Sequence, residues 1–374
     1  MITRNPKNNL GAGLSALKVS ALGLTIAGMS AVVASAAPTL SGSVEAGYNY
    51  NLSIPTDSMK NSLHSYDAAS KTFTLNNAHI VLSGSDSASG LGYDVETDFG
   101  SDAKANKVLD PSLGGSDVID LQEAYLTWAF GPGKTWGLKA GKYATYQGIE
   151  VVEGGANPTV TRGLLFGLAE PVTHTGLEVS DAFGKVDVHV GLINGWDLLN
   201  DNNNMPSIVG KVGVNLGDPL ALTISTIIGP EVAGNTDDSR MSFDVTGITK
   251  VIPKVDLWFQ GNYGMEAKAS KVKAGDDASW MGFGLQPLVH LNDWFGLGLR
   301  YEFFSDADGA RTGSGIKDLT VQDVSLAPTI WLTKATMVRG EFRMDFASKD
   351  IFQDKDKKAA GSQIELAADF VTNF

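Results

Sequence analysis

The side chains best suited to acid–base or nucleophilic chemistry are five histidines: His64, His79, His174, His189 and His290. None of them lies beside a G-x-S-x-G turn, which would present a nucleophilic serine to its histidine. The segment Gly131–Thr135 has the sequence GPGKT, but a phosphate-binding loop needs a further glycine where Trp128 stands, and a helix after it. We therefore predict that the protein is not an enzyme.

Two acidic segments have the composition of calcium-binding loops, at 200–204 (NDNNN) and 306–309 (DADG). Neither has the full twelve-residue spacing of calcium ligands. Solvated turns are the favoured interpretation, and calcium bridging at these loops stays open. The chain has no cysteine, which excludes disulfide-stapled folds and cysteine-ligated metals. We predict no metal site and no cofactor. The net charge of −13 disfavours binding to nucleic acid.

A period of two predicts the elements that position the charged side chains. Between Leu40 and Leu52 the even positions are apolar or small and the odd positions mostly polar, which gives a strand one apolar and one polar face. Sixteen segments follow this pattern, at 40–53, 72–83, 89–99, 119–130, 135–145, 173–181, 186–194, 207–216, 220–229, 240–251, 255–266, 279–290, 294–304, 319–330, 335–346 and 362–374.

Three irregularities interrupt this alternation. The second segment changes parity near Asn76–Ala78, which predicts a β-bulge. The fourteenth segment leaves the face of Asp323 ambiguous. Pro287 and Pro328 lie inside predicted strands, where proline is unfavourable.

The connections predict how the strands are arranged. Long connections follow the odd strands and short ones follow the even strands. This pattern predicts an all-β fold, a transmembrane antiparallel β-barrel with short periplasmic turns and long extracellular loops. The strands of a secreted β-sandwich or β-helix also alternate between apolar and polar residues. Such folds do not require apolar faces that are nearly free of charge, as the faces here are. Aromatic residues near the strand ends predict two interfacial girdles: Tyr48, Phe99, Trp128, Phe130, Trp136, Tyr263, Phe295, Phe303, Phe346 and Phe374.

The first 36 residues have the order of a secretory signal peptide. Basic residues precede the apolar run Ala21–Val33, and Ala34-Ser35-Ala36 fits a cleavage site. The apolar run is shorter than the roughly 20 residues of a membrane-spanning helix. We predict a cleaved segment 1–36 and a single barrel domain 37–374, exported to the bacterial outer membrane. The last strand ends at Phe374 in the form of an assembly signal for the barrel assembly machinery.

Short segments spread over the mature chain resemble the outer-membrane porin superfamily, and most closely its type 2 (OmpL-like) β-barrel porin family. The resembling segments are Leu121–Trp128, Gly137–Lys142, Thr173–Leu177, Gly191–Asp197, Leu299–Glu302 and Arg339–Asp345. The resemblance implies a channel in outer-membrane lipid for passive movement of ions and small hydrophilic solutes. Resemblance to general porins also implies a homotrimer.

A barrel of sixteen strands leaves an aqueous channel, so the polar faces line water. Acidic residues outnumber basic ones on these faces, which predicts a preference for cations. The acidic lumen residues include Asp94, Glu96, Asp98, Glu302, Glu341 and Asp345.

In porins of this size the third long loop folds into the pore, and here that loop is about 146–172. Our constriction hypothesis pairs the glutamates of this loop with arginines of the wall, and its residues are Glu150, Glu153, Arg162, Arg300, Arg339 and Arg343. A loop lying outside on the surface is the alternative. A sugar- or phosphate-specific channel and a non-conducting adhesin or structural barrel are the competing functions.

Overall fold

A computed structural model describes residues 37–109, 118–217 and 219–374. The predicted signal peptide, 1–36, lies outside the described residues. Within the described part of the chain, none of the helices combines the length and hydrophobicity needed to cross a bilayer.

Sixteen strands form one sheet, and their positions match the sixteen predicted segments. They are β1 (Thr39–Asn51), β2 (Thr72–Ser85), β3 (Leu91–Phe99), β4 (Ile119–Phe130), β5 (Trp136–Ala144), β6 (Thr173–Phe183), β7 (Val186–Ile193), β8 (Ser207–Asn215), β9 (Ala221–Pro230), β10 (Ser239–Thr249), β11 (Val255–Glu266), β12 (Ala278–His290), β13 (Phe295–Asp306), β14 (Leu319–Trp331), β15 (Thr336–Ala347) and β18 (Ser362–Asn373). Two short strands, β16 (Phe352–Gln353) and β17 (Ala359–Ala360), form a separate hairpin in the last long loop.

The sheet closes on itself because β1 pairs with both β2 and β18. All neighbouring strands run antiparallel, and Gly42 and Phe374 exchange two backbone hydrogen bonds at the seam. Short turns and long loops alternate along the chain, so the long loops all lie at one end. The predicted closed antiparallel barrel of sixteen strands is confirmed.

The burial of side chains alternates as the period of two requires. Along β13 every second residue from Gly296 to Asp306 is buried inside the barrel, and the residues between them face outward. The structure also settles the face of Asp323, which the sequence left ambiguous. Asp323 is fully buried inside, whereas Val324 and Leu326 face outward.

The irregular positions have clear structural roles. The pairing of β1 with β2 passes from Asn77 to Leu75 and leaves Asn76 as the extra residue, so the predicted bulge is confirmed. Pro287 and Pro328 stand inside β12 and β14, where the ladders to β13 and β15 are interrupted. Each proline is therefore accommodated by the loss of local pairing on one side of its strand.

The long loops contain the helical elements. Helix α1 (Ser101–Leu109) lies in the second long loop, and α2 (Leu164–Leu168) lies in the third. Two 3-10 helices occur at Pro132–Lys134 and Gly154–Ala156. Helix α2 begins after Gly163, and the amide of Ala169 donates to the carbonyl of Leu165 to close its single turn.

The ten aromatic residues of the expected girdles all keep some solvent exposure on the outer surface. Trp128 and Phe130 stack at 4.9 Å beside a short turn, with Trp136 6.4 Å from Phe130 across it. Tyr48 packs on Phe73 at the opposite end, near the long loops. This placement fits rings at the two membrane interfaces.

Replacement of Leu285 by Arg tests the lipid-facing surface. Leu285 lies in the middle of β12 and is 44% exposed. An arginine there would enter the hydrocarbon core, so we expect the free energy of unfolding in lipid vesicles to fall by about 2–4 kcal/mol. Leu291→Arg, in the short turn after β12, is the matched control and should cost about 0–1 kcal/mol. Equal losses for the two variants in denaturant titrations would contradict this assignment of the surface.

Candidate functional site

The third long loop, residues 145–172 and here called the inserted loop, lies within the barrel. Leu164 and Leu165 of helix α2 have no solvent exposure. They belong to one apolar cluster with Trp280 and Phe304 from the inward faces of β12 and β13. Burial of these side chains holds the loop inside by the hydrophobic effect.

Arg339 on β15 binds the backbone of the inserted loop. Its Nη1 donates to the carbonyls of Gly154, Asn157 and Thr159 at 2.9–3.0 Å. Its remaining donors pair with both carboxylate oxygens of Asp369 on β18. A guanidinium has five donors in a rigid plane, so one residue can satisfy the loop and the wall together.

Arg300 on β13 occupies a similar position. It forms a bidentate pair with Asp323 at 3.0 Å and donates to the hydroxyl of Thr159 at 2.6 Å and to the carbonyl of Thr161. Its Nη1 lies 3.2 Å from Glu150 of the inserted loop. The predicted pairing of Glu150 with a wall arginine is therefore present in the structure.

Arg343 completes the row of wall arginines. It pairs with Asp323 at 2.7 Å and Asp345 at 2.9 Å, and its Nη1 donates to the carbonyl of Arg162 at 2.7 Å. Arg300, Arg339 and Arg343, here called the arginine row, are each at most 2% exposed. They lie beneath the inserted loop rather than on an open surface.

The structure separates the two glutamates of the constriction hypothesis. Glu150 is buried and accepts from the amide of Gly163 at 2.7 Å and from Gln286 at 2.9 Å, besides Arg300. Glu153 is not paired with the arginine row. Its Oε1 accepts from Gln122 on β4 at 2.6 Å and lies 3.9 Å from His79 on β2.

Arg162 also lies apart from the arginine row, within a group of carboxylates. Its Nη2 is 2.7 Å from Asp102 of α1, and its Nη1 is 3.8 Å from Asp67 and 3.9 Å from Glu45. Burial alone would lower the pKa of Arg162, but these carboxylates raise it above its ordinary value. Arg162 is therefore a permanent cation that ties the second long loop to the inserted loop.

The six predicted acidic lumen residues fall into two groups. Glu302, Glu341 and Asp345 are buried beneath the inserted loop, where Glu302 and Glu341 accept amide hydrogen bonds from Leu165 and Thr161. On β3, Asp94 and Glu96 keep partial exposure, and Asp98 is buried against His79. Glu302 and Glu341 of the first group anchor the loop, and the second group lies on β3, four strands from β15 in the closed sheet.

Gly298 shows a close approach between the loop and the wall. A Cβ atom at this position would collide with the carbonyl oxygen of Pro158 in the inserted loop. A glycine at this inward position therefore admits the backbone of the loop.

A second group of charged residues surrounds His189 on β7. Glu178 lies 2.6 Å from Nδ1 of His189, and Asp187 lies 2.9 Å from Nε2. Lys211 is 2.8 Å from the same oxygen of Asp187. Tyr146, at the start of the inserted loop, donates to Glu178 at 2.6 Å. The charged groups of His189, Glu178, Asp187 and Lys211 therefore pair with one another.

Asp197 fixes the far end of the inserted loop. Its Oδ1 accepts from the amides of Val172 at 2.6 Å and Thr173 at 3.0 Å. Burial raises the pKa of Asp197 to about 6, and these two hydrogen bonds oppose that rise. Asp197 was not predicted, and neither were Asp67 and Asp102. All three are single acidic residues in loops whose positions depend on tertiary contacts.

The comparisons with known proteins agree with this architecture. Residues 38–374 match the model of the family described as "Putative beta-barrel porin-2, OmpL-like". No curated protein matches the chain. Several outer-membrane porins of known structure have a similar fold.

Three of these structures illustrate the likeness. The outer-membrane channel DcaP of Acinetobacter baumannii has a TM-score of 0.62 and 12% identity, with 93% of this chain and 100% of that chain covered. An anion-selective porin from Comamonas acidovorans has a TM-score of 0.63 and 12% identity, covering 90% and 99%. OmpT of Vibrio cholerae in a trimer form has a TM-score of 0.58 and 13% identity, covering 90% and 99%.

Replacement of Arg339 by Gln tests the attachment of the inserted loop. The variant loses the charged donor to three loop carbonyls, and such a hydrogen bond contributes about 1.5–3 kcal/mol. We expect hydrogen exchange of the amides in 154–162 to accelerate at least about tenfold. Arg240→Gln is the matched control, because Arg240 pairs with Glu266 and touches Trp196 rather than this loop. Unchanged exchange in the Arg339 variant, measured by mass spectrometry, would contradict the role of this arginine.

Proposed function

Because the chain belongs to the beta-barrel porin-2, OmpL-like family, we propose that it forms a water-filled channel in the bacterial outer membrane. Ions and small hydrophilic solutes would cross it by passive diffusion. The observation that supports this proposal most directly is the inserted loop, which covers one side of the barrel interior and leaves the other side accessible to water.

Strands β2, β3 and β4 form part of the accessible side. Inward residues there, such as Ser83, Asp94, Glu96 and Glu123, keep partial solvent exposure. By contrast, every inward residue of β13 is buried. The part of this wall on β3 and β4 is acidic, and the paired residues Asp187 and Lys211 on β7 and β8 also keep partial exposure.

The distribution of charge supports a preference for cations. The arginine row is sealed beneath the inserted loop and neutralised by carboxylates. Lys211 and Arg240 on other strands pair with Asp187 and Glu266 at 2.8 and 2.9 Å. Among the residues that the structure describes, Asp94, Glu96, Glu123 and Glu153 form no ion pair with a lysine or arginine, although Glu96 and Glu153 lie near His79. Carboxylates in a pore attract cations. The anion-selective neighbour has the same fold, so the sign of selectivity must come from the lining side chains rather than from the barrel.

The outer surface and the relatives support the remaining parts of the proposal. Outward-facing apolar side chains such as Leu126, Leu285 and Phe342 would contact outer-membrane lipid. A homotrimer is supported by the trimer form of the Vibrio cholerae neighbour. The C-terminal strand would engage the barrel assembly machinery, after removal of residues 1–36 as a signal peptide.

Reconstitution of the purified protein in a planar lipid bilayer tests the channel itself. We expect stepwise increases in current, and in a salt gradient a reversal potential with the sign of cation preference. A detergent preparation without protein is the control. A folded barrel that inserts but never conducts would refute the proposal and favour a non-conducting adhesin or structural role.

The double variant Asp94→Asn, Glu123→Gln tests the origin of the selectivity. Removal of two partly exposed carboxylates from the acidic wall should lower the ratio of cation to anion permeability, measured from reversal potentials in the presence of a chelator. Asp356→Asn removes one charge from a side chain that is 74% exposed in the last long loop and should leave the ratio unchanged. If both variants retain the ratio of the natural protein, the acidic wall does not set the selectivity.

A further inference from the structure

We propose that His79, Glu96 and Glu153 form a binding site for a divalent transition-metal ion, with Zn²⁺ as the probe. One ligand atom from each of the three residues lies within 4.8 Å of the other two. They come from β2, β3 and the inserted loop. Among the residues that the structure describes, this is the one group of His, Asp and Glu with such convergence.

The orientation of His79 supports this assignment. Its Nδ1 lies 2.8 Å from Oδ1 of Asp98, so a neutral imidazole would carry its proton on that side. Its Nε2 is then a free lone pair, it is buried, and it has no hydrogen-bond partner. The whole residue is only 3% exposed. A carboxylate that orients the outer nitrogen of a metal-bound histidine is a common arrangement in metalloproteins.

The distances suit a tetrahedral ion. Nε2 of His79 and Oε2 of Glu96 are 3.4 Å apart. With bonds of about 2.0–2.1 Å, two ligands of tetrahedral zinc lie about 3.4 Å from each other. Oε1 of Glu153 lies 3.9 Å from Nδ1 of His79, so Glu153 would have to move toward Nε2 to complete the site. Three protein ligands would leave the fourth position for water.

The surrounding side chains provide a supporting shell. Gln122 donates to Oε1 of Glu153 at 2.6 Å, and Asn77 donates to Asp98 at 3.0 Å. Each of these hydrogen bonds restrains a carboxylate that would bind the ion or orient its histidine. Imidazole with carboxylates favours zinc and neighbouring transition metals over calcium, which prefers six to eight oxygen ligands.

The negative charge on β3 and β4 also favours a bound cation. Glu96 on β3 and Glu123 on β4 are direct cross-strand partners. Like charges in this position repel each other. Asp94 and Asp98 add further negative charge on the same face of β3. A divalent ion between Glu96 and Glu153 would offset this repulsion and would link the inserted loop to β2 and β3.

The group around His189 provides an internal contrast. Its two carboxylates, Glu178 and Asp187, lie 2.6 and 2.9 Å from the two ring nitrogens, and within the described part of the chain this group does not bring three ligand atoms together as the His79 group does. Lys211 already neutralises Asp187. This group contains the same residue types as the proposed site, but its geometry does not suit a metal.

Equilibrium dialysis of the full folded protein in detergent tests the site without requiring channel activity. After treatment with a chelator, we expect the natural protein to bind one Zn²⁺ per chain. His79→Gln, Glu96→Gln and Glu153→Gln should each weaken binding at least about tenfold, and Asp98→Asn should weaken it about 10–100-fold. Metal content is measured by mass spectrometry, and circular dichroism verifies that each variant is folded.

His189→Gln is the matched control and should bind one Zn²⁺ with the affinity of the natural protein. Absence of stoichiometric binding by the natural protein would overturn the proposal and leave His79 as a protonated partner of Asp98 and Glu96. Undiminished binding by folded Glu96→Gln or Glu153→Gln would also overturn it. Should one variant fail to fold, the other two ligand variants decide the outcome.

Discussion

Three buried guanidinium groups hold the inserted loop against the barrel wall, and the shape of the interior depends on them. A loop within a barrel brings backbone carbonyls away from bulk water, and each needs a donor. Arg339 supplies donors to three carbonyls, and Arg300 and Arg343 supply donors to Thr161 and Arg162. The carboxylates behind them, such as Asp323 and Asp369, balance the charge that the loop itself cannot balance.

This arrangement separates the charges of the barrel. The arginines and the carboxylates that pair with them lie on the wall from β13 to β15, where the inserted loop covers them. The carboxylates of β3 and β4 have no comparable set of basic partners, so that wall remains acidic. A count of charges over all polar faces misses this division, because it gives a sealed arginine the same weight as an accessible glutamate. Electrostatic effects on a solute depend on the accessible groups.

Local sequence was sufficient for the barrel and insufficient for the pore. A period of two fixes which face of a strand each residue occupies, and the shift at Asn76 was visible because a bulge reverses that parity. The sequence leaves the face of Asp323 ambiguous because apolar and polar residues are mixed on both faces of its strand. Its contacts with Arg300 and Arg343 place it on the inward face. The pairing of Glu150 with Arg300 joins residues 150 positions apart. Glu153 belongs instead with Gln122 and His79, and the path of a long loop is not encoded in any local pattern.

The same limit explains why a metal site was not expected from the sequence. His79 and Asp98 are direct cross-strand partners, and Glu96 is two residues farther along the same face of β3. That register places one carboxylate at each nitrogen of the imidazole, which is typical of an ordinary ion pair. The arrangement becomes a candidate site only because Glu153 of the inserted loop brings a further carboxylate close to the imidazole. Around His189 no third carboxylate converges among the described residues, and Lys211 already pairs with Asp187. The decisive difference between the two groups is therefore the position of Glu153, which Arg339 restrains through the carbonyl of the adjacent Gly154.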